Sequence, residues 1–224
     1  VKQLGPAIKS ELLDTKIIVY DHNCDRPDYP ISILKDAEAS QYVDGSAFHL
    51  YAGPIDTLSS VHDSFPDKNI YFTEQWVGAP GNMLRDVDEH VRKLIIGATR
   101  NWSRTVVEWN LASDPQYEPH TDRGGCDRCL GALTIDGDSV KRNPAYYIIA
   151  HAAKYVIPES SRIASNSDDQ LPNVAFQTPK GRGVLIVLNN TDATKGFTIE
   201  FHGRRLHEVL NAGAVATFDF SINL

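Results

Sequence analysis

One short stretch of the chain, from Asn69 to Pro80, carries the residues best suited to chemistry. Its apolar part, residues 70–72, is β-branched and aromatic, which predicts a buried strand, and Glu74 follows at the carboxyl end. Barrel enzymes keep their catalytic groups at the carboxyl ends of such strands. Taken alone, Glu74 would better suit a charge facing water. Its interpretation therefore depends on what the neighbouring strands carry.

Three further predicted strands, at residues 16–20, 46–51 and 104–109, also end in polar or aromatic side chains. These strand ends carry Asp21 and His22, His49 and Tyr51, and Glu108 and Trp109. Between the strands lie segments with helical spacing of apolar residues, at about residues 4–13, 30–42, 55–65 and 82–99. Alternating strands and helices predict a parallel sheet with right-handed crossovers, so the strand ends should share one face of a (β/α) barrel.

The chain changes character after its last predicted helix, residues 143–155. A long loop rich in proline and glycine, residues 110–142, precedes that helix, with a hairpin expected at about 132–140. Five short alternating segments follow, at residues 174–177, 183–189, 197–201, 206–210 and 214–220. Turn residues separate them at the spacing of an antiparallel sheet, which predicts a small β-sandwich.

Composition excludes several classes of protein. The 224 residues are 42% hydrophobic and carry a net charge of −7, which suits a soluble, acidic, globular protein. No block of Lys and Arg offers the charge that nucleic-acid phosphates require. The sequence contains no stretch of about 18 apolar residues, so it does not predict a membrane-spanning helix.

The cysteines leave two interpretations open. Cys24 stands alone, whereas Cys126 and Cys129 lie in Gly-Gly-Cys-Asp-Arg-Cys-Leu-Gly. A zinc site would need a second ligand pair, and a redox Cys-x-x-Cys normally opens a helix after a strand. A local disulfide that pins the loop, or two free thiols, is favoured over either chemistry.

Several ordered motifs together give the chain a family resemblance. They are Phe48-His-Leu-Tyr51, Tyr71-Phe-Thr-Glu-Gln-Trp76, Ile95-Ile-Gly-Ala-Thr-Arg-Asn-Trp-Ser103, Val107-Glu-Trp-Asn-Leu-Ala112 and Tyr146-Tyr-Ile-Ile-Ala-His151. With them the chain resembles glycoside hydrolase family 30, retaining β-glycosidases that include glucosylceramidases and β-1,6-glucanases. The resemblance implies the C-terminal half of a (β/α)₈ TIM barrel, strands five to eight, over residues 1–158. An antiparallel β-sandwich domain is expected over residues 159–224.

The resemblance also assigns the site residues. Glu74 matches the family's nucleophile, one of the two carboxyl groups that retaining hydrolysis needs. Substrate-binding roles fall to Asp21, His22, His49, Tyr51, Trp76 and Trp109. Of these, His49 and Tyr51 would flank the nucleophile, and Trp109 would form an aromatic floor under the sugar. From the residues alone, Trp109 could instead be core, and His49 a satisfied buried imidazole.

The family pattern is incomplete in one respect. The acid/base of a complete member comes from Asn-Glu-Pro at the end of strand four, and that tripeptide does not occur here. Glu108 is a poor substitute, because adjacent strand residues point to opposite faces and Trp109 is expected to face the sugar. The chain alone is therefore expected to hydrolyse little.

Further expectations follow from the resemblance. The partners would be a β-glucoside or β-glucan substrate and the missing N-terminal half of the barrel, from the same gene, a second chain or self-association. The resemblance implies no cofactor and no metal. It implies a secreted or periplasmic location. The alternative function is a non-catalytic carbohydrate-binding remnant or interaction module. A half barrel of another class, such as an aldolase, would need a lysine at a strand end, and the predicted strand ends of this chain carry none.

Overall fold

A computed structural model describes residues 1–11, 14–166 and 168–221. The chain forms two compact units. The first unit comprises Val1–Trp76 and Gly97–Trp109. The second unit comprises Val77–Ile96 and the described residues from Asn110 onward. No helix in the described part is long and apolar enough to cross a membrane.

The first unit alternates helices with strands, as predicted. In chain order its elements are α1 (Leu4–Glu11), β1 (Ile17–Asn23), α2 (Asp28–Lys35), α3 (Ala37–Ser40), β2 (Val43–His49), α4 (Thr57–Ser64) and β3 (Asn69–Glu74). The chain continues through β4 (Val77–Gly78), α5 (Met83–His90) and a π-helix (Val91–Ala98) to β5 (Ser103–Val106). The strands pair in parallel in the order β1-β2-β3-β5. This parallel sheet confirms the prediction of a partial barrel.

The core of the first unit forms where the sheet meets its helices. Phe48, Ile70 and Phe72 are at most 1% exposed, and so are Leu58 and Val61 of α4. Leu58 and Val61 are three positions apart and so share one face of that helix. Burial of this kind contributes about 1.5–3 kcal/mol for each large apolar side chain. The same apolar contacts hold the carboxyl ends of β2 and β3 at fixed positions.

Close approach of β2 and β3 requires a glycine at one position. A Cβ atom on Gly45 would collide with the backbone carbonyl of Asn69, the residue that Gly45 faces across the pair. Backbone atoms cannot give way as a flexible side chain can. Gly45 therefore permits the close approach of these two strands.

The second unit begins with small sheets. Its strands β6 (Ala112–Ser113), β8 (Leu133–Asp136) and β9 (Ser139–Arg142) form one sheet, and β7 (Cys129–Leu130) pairs with β4. The β8–β9 hairpin confirms the one predicted at about residues 132–140. Helix α6 (Pro144–Ala153) follows, with Pro144 in its first turn. Cys126 and Cys129 form a disulfide, which decides between the two interpretations left open by the sequence.

Antiparallel strands fill the rest of the second unit. They are β10 (Ser161–Ile163), β11 (Asn173–Gln177), β12 (Arg182–Leu188), β13 (Lys195–Phe201), β14 (Arg204–Leu210) and β15 (Val215–Ser221). The first sheet has the order β10-β11-β12-β15, and β13 and β14 form a second. All five predicted strands are confirmed, and β10 is an additional one. The predicted domain boundary at residue 158 stays a prediction.

Some predicted details differ from the structure. Leu84 is an apolar residue of the helix predicted at about residues 82–99, yet it is 77% exposed, whereas Asp86 of the same helix is buried. Asp86 accepts a hydrogen bond from the backbone N–H of Asn82, which caps the helix, and this explains why a carboxylate is buried there. The predicted helix over residues 4–13 is observed from Leu4 to Glu11, and its last two residues lie outside the described ranges.

Candidate active site

The segments that follow β1 and β2 are tied together by hydrogen bonds. Asn23 Oδ1 accepts a hydrogen bond from the Tyr51 backbone N–H over 3.1 Å. The thiol of Cys24 donates to the His49 carbonyl, also over 3.1 Å. Burial, with nearby Asp25 and Asp56, raises the pKa of Cys24 to about 12, so the thiol stays protonated and able to donate. These bonds fix the backbone on both sides of His49 and Tyr51.

The segment after β3 is held in the same way on both sides. Gln75 Nε2 donates to the Leu50 carbonyl over 3.1 Å. The Gln75 carbonyl accepts the backbone N–H of Trp109 over 2.6 Å. Glu74, directly before Gln75, is thereby placed between the segment that carries Tyr51 and the segment that carries Trp109.

Glu74 lies within reach of two of the residues expected beside it. Its Oε1 accepts a hydrogen bond from the Tyr51 hydroxyl over 3.1 Å and lies 3.7 Å from Nδ1 of His49. The Glu74 side chain is 29% exposed, so the carboxylate is partly shielded but open to a ligand. This is the strand-end carboxylate and polar environment that the sequence predicted.

The tyrosine keeps its proton over a wide pH range. Burial, together with the charge and the hydrogen bond of Glu74 and the charge of Glu108, raises the pKa of Tyr51 well above its usual range. A phenol beside a carboxylate resists ionisation because a second negative charge there would be repelled. Tyr51 therefore acts as a lasting hydrogen-bond donor to Glu74.

Asp21 lies behind His49. Its Oδ1 accepts hydrogen bonds from His49 Nε2 over 3.1 Å and from Thr73 Oγ1 over 2.7 Å. The register between β1 and β2 shifts between Tyr20 and His22, which is the sign of a bulge. Tyr20 and Asp21 both have positive φ, 81° and 55°, a strained conformation for residues other than glycine. At this bulge the Asp21 carboxylate contacts the adjacent strand β2 and also β3 beyond it.

The remaining predicted residues lie around this group. The His22 ring meets the His49 ring edge-on at 6.3 Å. Trp109 is 42% exposed and Tyr51 43%, so Trp109 is not a core residue. Trp76 follows Gln75, whose side-chain Oε1 accepts the Trp76 backbone N–H over 3.1 Å.

Glu108 lies past the end of the strand on which its expected placement was based. The alternation of side chains along a strand predicts that Glu108 points away from the site. However, β5 ends at Val106, so the alternation rule does not extend to Glu108 and Trp109. The charge of Glu108 acts on the Tyr51 hydroxyl, which places a second carboxylate in the electrostatic environment of Glu74.

Four residues with structural roles here were not singled out from the sequence: Asn23, Cys24, Thr73 and Gln75. Each is adjacent to a predicted site residue, or one position removed from it, at a strand end. A search of every polar residue flanking those strand ends would have found them. Among the described residues, no group of three or more His, Cys, Asp or Glu side chains is placed to hold a metal ion.

Comparison with known protein families identifies the family. Residues 1–156 match the family model described as the glycosyl hydrolase family 30 TIM-barrel domain. The chain belongs to glycoside hydrolase family 30. Residues 159–218 match the family 30 beta sandwich domain, so both parts of the family 30 chain are represented. The strand-end carboxylate described above is therefore part of a glycoside hydrolase barrel.

Individual relatives fall into two named activities. The chain is 34% identical over 194 residues to endo-1,6-beta-D-glucanase neg1 of Aspergillus fumigatus, covering 83% of this chain and 38% of the relative. It is 29% identical over 218 residues to the lysosomal acid glucosylceramidase of Mus musculus, covering 88% of this chain and 41% of the relative. This family 30 chain thus spans about two fifths of the length of these curated relatives.

Solved structures share the fold over the whole chain. The endo-beta1,6-glucanase BT3312 superimposes with a TM-score of 0.90 at 31% identity, covering 100% of this chain and 52% of the glucanase chain. SrfJ from Salmonella typhimurium superimposes with a TM-score of 0.89 at 24% identity, covering 98% of this chain and 51% of SrfJ. The family 30 fold extends through both units of the chain.

Proposed function

We propose that this chain supplies the nucleophile of a retaining β-glycosidase that acts on β-glucosidic bonds, with Glu74 as the nucleophile. The observation that carries the proposal is the Tyr51 hydroxyl bonded to Oε1 of a partly exposed strand-end carboxylate. A nucleophile needs such a fixed orientation, because attack requires the carboxylate to meet the anomeric carbon in line. Membership of family 30 supports the same assignment.

The proposed reaction proceeds by double displacement. A Glu74 oxygen attacks the anomeric carbon, the bond to the leaving oxygen breaks, and that oxygen takes a proton from a second carboxyl group. Water then gives a proton to that second carboxylate as it attacks the glycosyl ester, which releases the sugar and the Glu74 carboxylate. Because Tyr51 and His49 both face Oε1, we assign the attack to Oε2.

We assign no residue of this chain as the acid/base. No Asn-Glu-Pro occurs in the sequence, so only the nucleophile is assigned here. Retaining enzymes place the two carboxyl groups about 5 Å apart. We propose that the rest of the barrel brings the second carboxyl group to the Glu74 side of the sheet.

The proposed substrate is a glucoside, with a β-1,6-linked glucan favoured over a glucosylceramide. The three fungal glucanase relatives are 34%, 31% and 35% identical, whereas the glucosylceramidase relatives are 28–29% identical. The half-exposed rings of Tyr51 and Trp109 offer apolar faces on which the C–H face of a sugar can stack. The Cys126–Cys129 disulfide supports a secreted or periplasmic location, where such bonds persist.

The test traps the glycosyl ester. The reagent is a dinitrophenyl β-glucoside with fluorine in place of the 2-hydroxyl, whose leaving group departs without an acid. Incubation with the intact polypeptide should add one fluoroglucosyl group, and peptide mapping should locate it on Glu74. The variant Glu74→Gln should remain unlabelled, whereas Glu38→Gln, an exposed control in α3, should label normally.

Two other outcomes would overturn the assignment. A label on Glu108 would move the nucleophile to the other carboxylate near Tyr51. Binding of glucosides with no label on any residue would support a non-catalytic carbohydrate-binding protein instead. The mapping distinguishes these outcomes because it identifies the modified residue directly.

A further inference from the structure

Asp21 makes contacts that a role in the wall of a sugar subsite does not explain. One of its oxygens, Oδ1, accepts hydrogen bonds from both His49 Nε2 and the Thr73 hydroxyl. We propose that Asp21 is a positioning residue for Glu74: it holds His49 by Nε2 so that the other ring nitrogen, Nδ1, faces the Glu74 carboxylate. This inference rests on the proposed role of Glu74.

The backbone supports a dedicated placement of Asp21. Two successive residues other than glycine, Tyr20 and Asp21, have positive φ. Each such conformation costs about 1–3 kcal/mol and persists only where the surrounding structure fixes it. The consequence of this strain is that Asp21 Oδ1 reaches donors on two strands, His49 on the adjacent β2 and Thr73 on β3 beyond it. The strain thus serves to bring one carboxylate to two strands.

The identity of the donor follows from the chemistry of the pair. An ionised carboxylate can only accept hydrogen bonds, so Nε2 of His49 must carry the proton that it shares with Asp21. The opposite nitrogen, Nδ1, lies 3.7 Å from Glu74 Oε1. The Asp21 contact on Nε2 therefore fixes the ring so that Nδ1 faces the proposed nucleophile.

The other groups around His49 do not oppose this arrangement. The His49 side chain is 11% exposed, so water has little access to the ring. The rings of His22 and Tyr51 meet it edge-on at 6.3 and 6.1 Å. Cys24 contacts the His49 backbone carbonyl as a protonated, uncharged thiol. The two carboxylates are thus the charged groups in contact with the ring.

A His49 ring held in this orientation would act on the chemical step, because it limits the positions that the Glu74 carboxylate can take before attack. Removing the Asp21 charge should loosen the ring without removing a contact to the sugar. The variant Asp21→Asn should therefore lower the rate constant of the chemical step and leave the affinity nearly unchanged.

The kinetic test uses the fluoroglucoside reagent on the intact polypeptide. Asp21→Asn should reduce the maximal rate of labelling about 10- to 100-fold, in the range seen when residues that orient a reactive group are changed. The concentration for half-maximal rate should change less than about twofold. Asp28→Asn is the matched control, since Asp28 also accepts hydrogen bonds but from Arg26 at the surface, and it should label like the wild type.

A second measurement needs no activity. In protein labelled with ¹⁵N-histidine, the two ring nitrogens of His49 give separate NMR shifts that report which of them are protonated. In the wild type Nε2 should carry a proton, and Asp21→Asn should lose that preference. A wild-type His49 with an unprotonated Nε2 would overturn the inference even if the variant failed to fold.

The outcomes separate the inference from the function on which it rests. Labelling of wild-type Glu74 with an equal rate in Asp21→Asn would overturn the positioning role alone. A change confined to the half-maximal concentration would also overturn it, because Asp21 would then be a sugar contact. Absence of any label on wild-type Glu74 would overturn both proposals.

Discussion

The hydroxyl of Tyr51 and Oε1 of Glu74 are 3.1 Å apart, although the two residues are separated by 23 positions in the sequence. The contact arises because β2 and β3 are parallel neighbours, so that His49 pairs with Glu74 at their carboxyl ends. Tyr51 follows His49 by two residues and is held there by the Asn23 side chain. The site therefore depends on strand order as much as on residue type.

Removing the Tyr51 hydroxyl should slow the chemical step. Tyr51→Phe keeps the ring but loses a hydrogen bond to a charged group, a bond worth about 1.5–3 kcal/mol. Partial exposure of Tyr51 reduces this value, so we expect the maximal labelling rate by the fluoroglucoside to fall about tenfold. Tyr29→Phe, an exposed tyrosine in α2, is the control and should label at the wild-type rate. An unchanged rate in Tyr51→Phe would show that the hydrogen bond has no part in the reaction.

The stability of the first unit should fall at alkaline pH. Burial and the hydrogen bond to Asp44 raise the pKa of Tyr71 to about 12, above the usual value for tyrosine of about 10. The unfolded chain therefore loses the Tyr71 proton first, and stability that is fully present below pH 10 is lost as the pH rises through about 12. Urea unfolding across this range should show a declining free energy of unfolding.

A single variant identifies the contribution of Tyr71. Tyr71→Phe should reduce the alkaline decline, and at neutral pH it should cost about 1–3 kcal/mol because Asp44 loses a donor. Tyr147→Phe, an exposed tyrosine of α6, should change neither quantity. An alkaline decline that is identical in Tyr71→Phe and wild type would assign the effect to other groups.

Asn189 should be the most sensitive polar position of the second unit. It is fully buried, and its Nδ2 donates to the carbonyls of Ala193, Leu210 and Asn211. Asn189→Ala leaves these acceptors without that donor and should lower the free energy of unfolding by about 2–3 kcal/mol, as measured in urea. Asn190→Ala, at the exposed neighbouring position, should cost less than about 0.5 kcal/mol.

Reduction of the Cys126–Cys129 disulfide should loosen the short β4–β7 pair. The bridge closes a loop with a sequence separation of 3, for which chain entropy predicts about 2 kcal/mol. The Ala79 amide, which donates to the Arg128 carbonyl over 2.9 Å, should exchange its hydrogen faster after reduction. Amides of β12 should exchange as before, and equal acceleration at both places would indicate global rather than local opening.

Much of the fold could be predicted because its signals are local. The run at residues 70–72 is apolar and β-branched, and it is buried in β3 as expected. The two-residue strands β4 and β7 could not be predicted, because they exist only through pairing with each other across about fifty residues. The last strand of the sheet was predicted to end at residue 109, but β5 ends at Val106. Residues 107–109 have a strand-like sequence although they lie beyond the end of that strand.

The sequence by itself determined which strands carry polar residues at their ends, and that Glu74 is the carboxylate among them that matches the family nucleophile. Only the tertiary structure decided that the Asp21 carboxylate contacts Nε2 of the His49 ring while Glu74 lies near Nδ1, the opposite nitrogen. That arrangement depends on the register shifts beside Asp21 and His49. Such shifts arise from hydrogen bonds between strands, so no pattern within one strand encodes them.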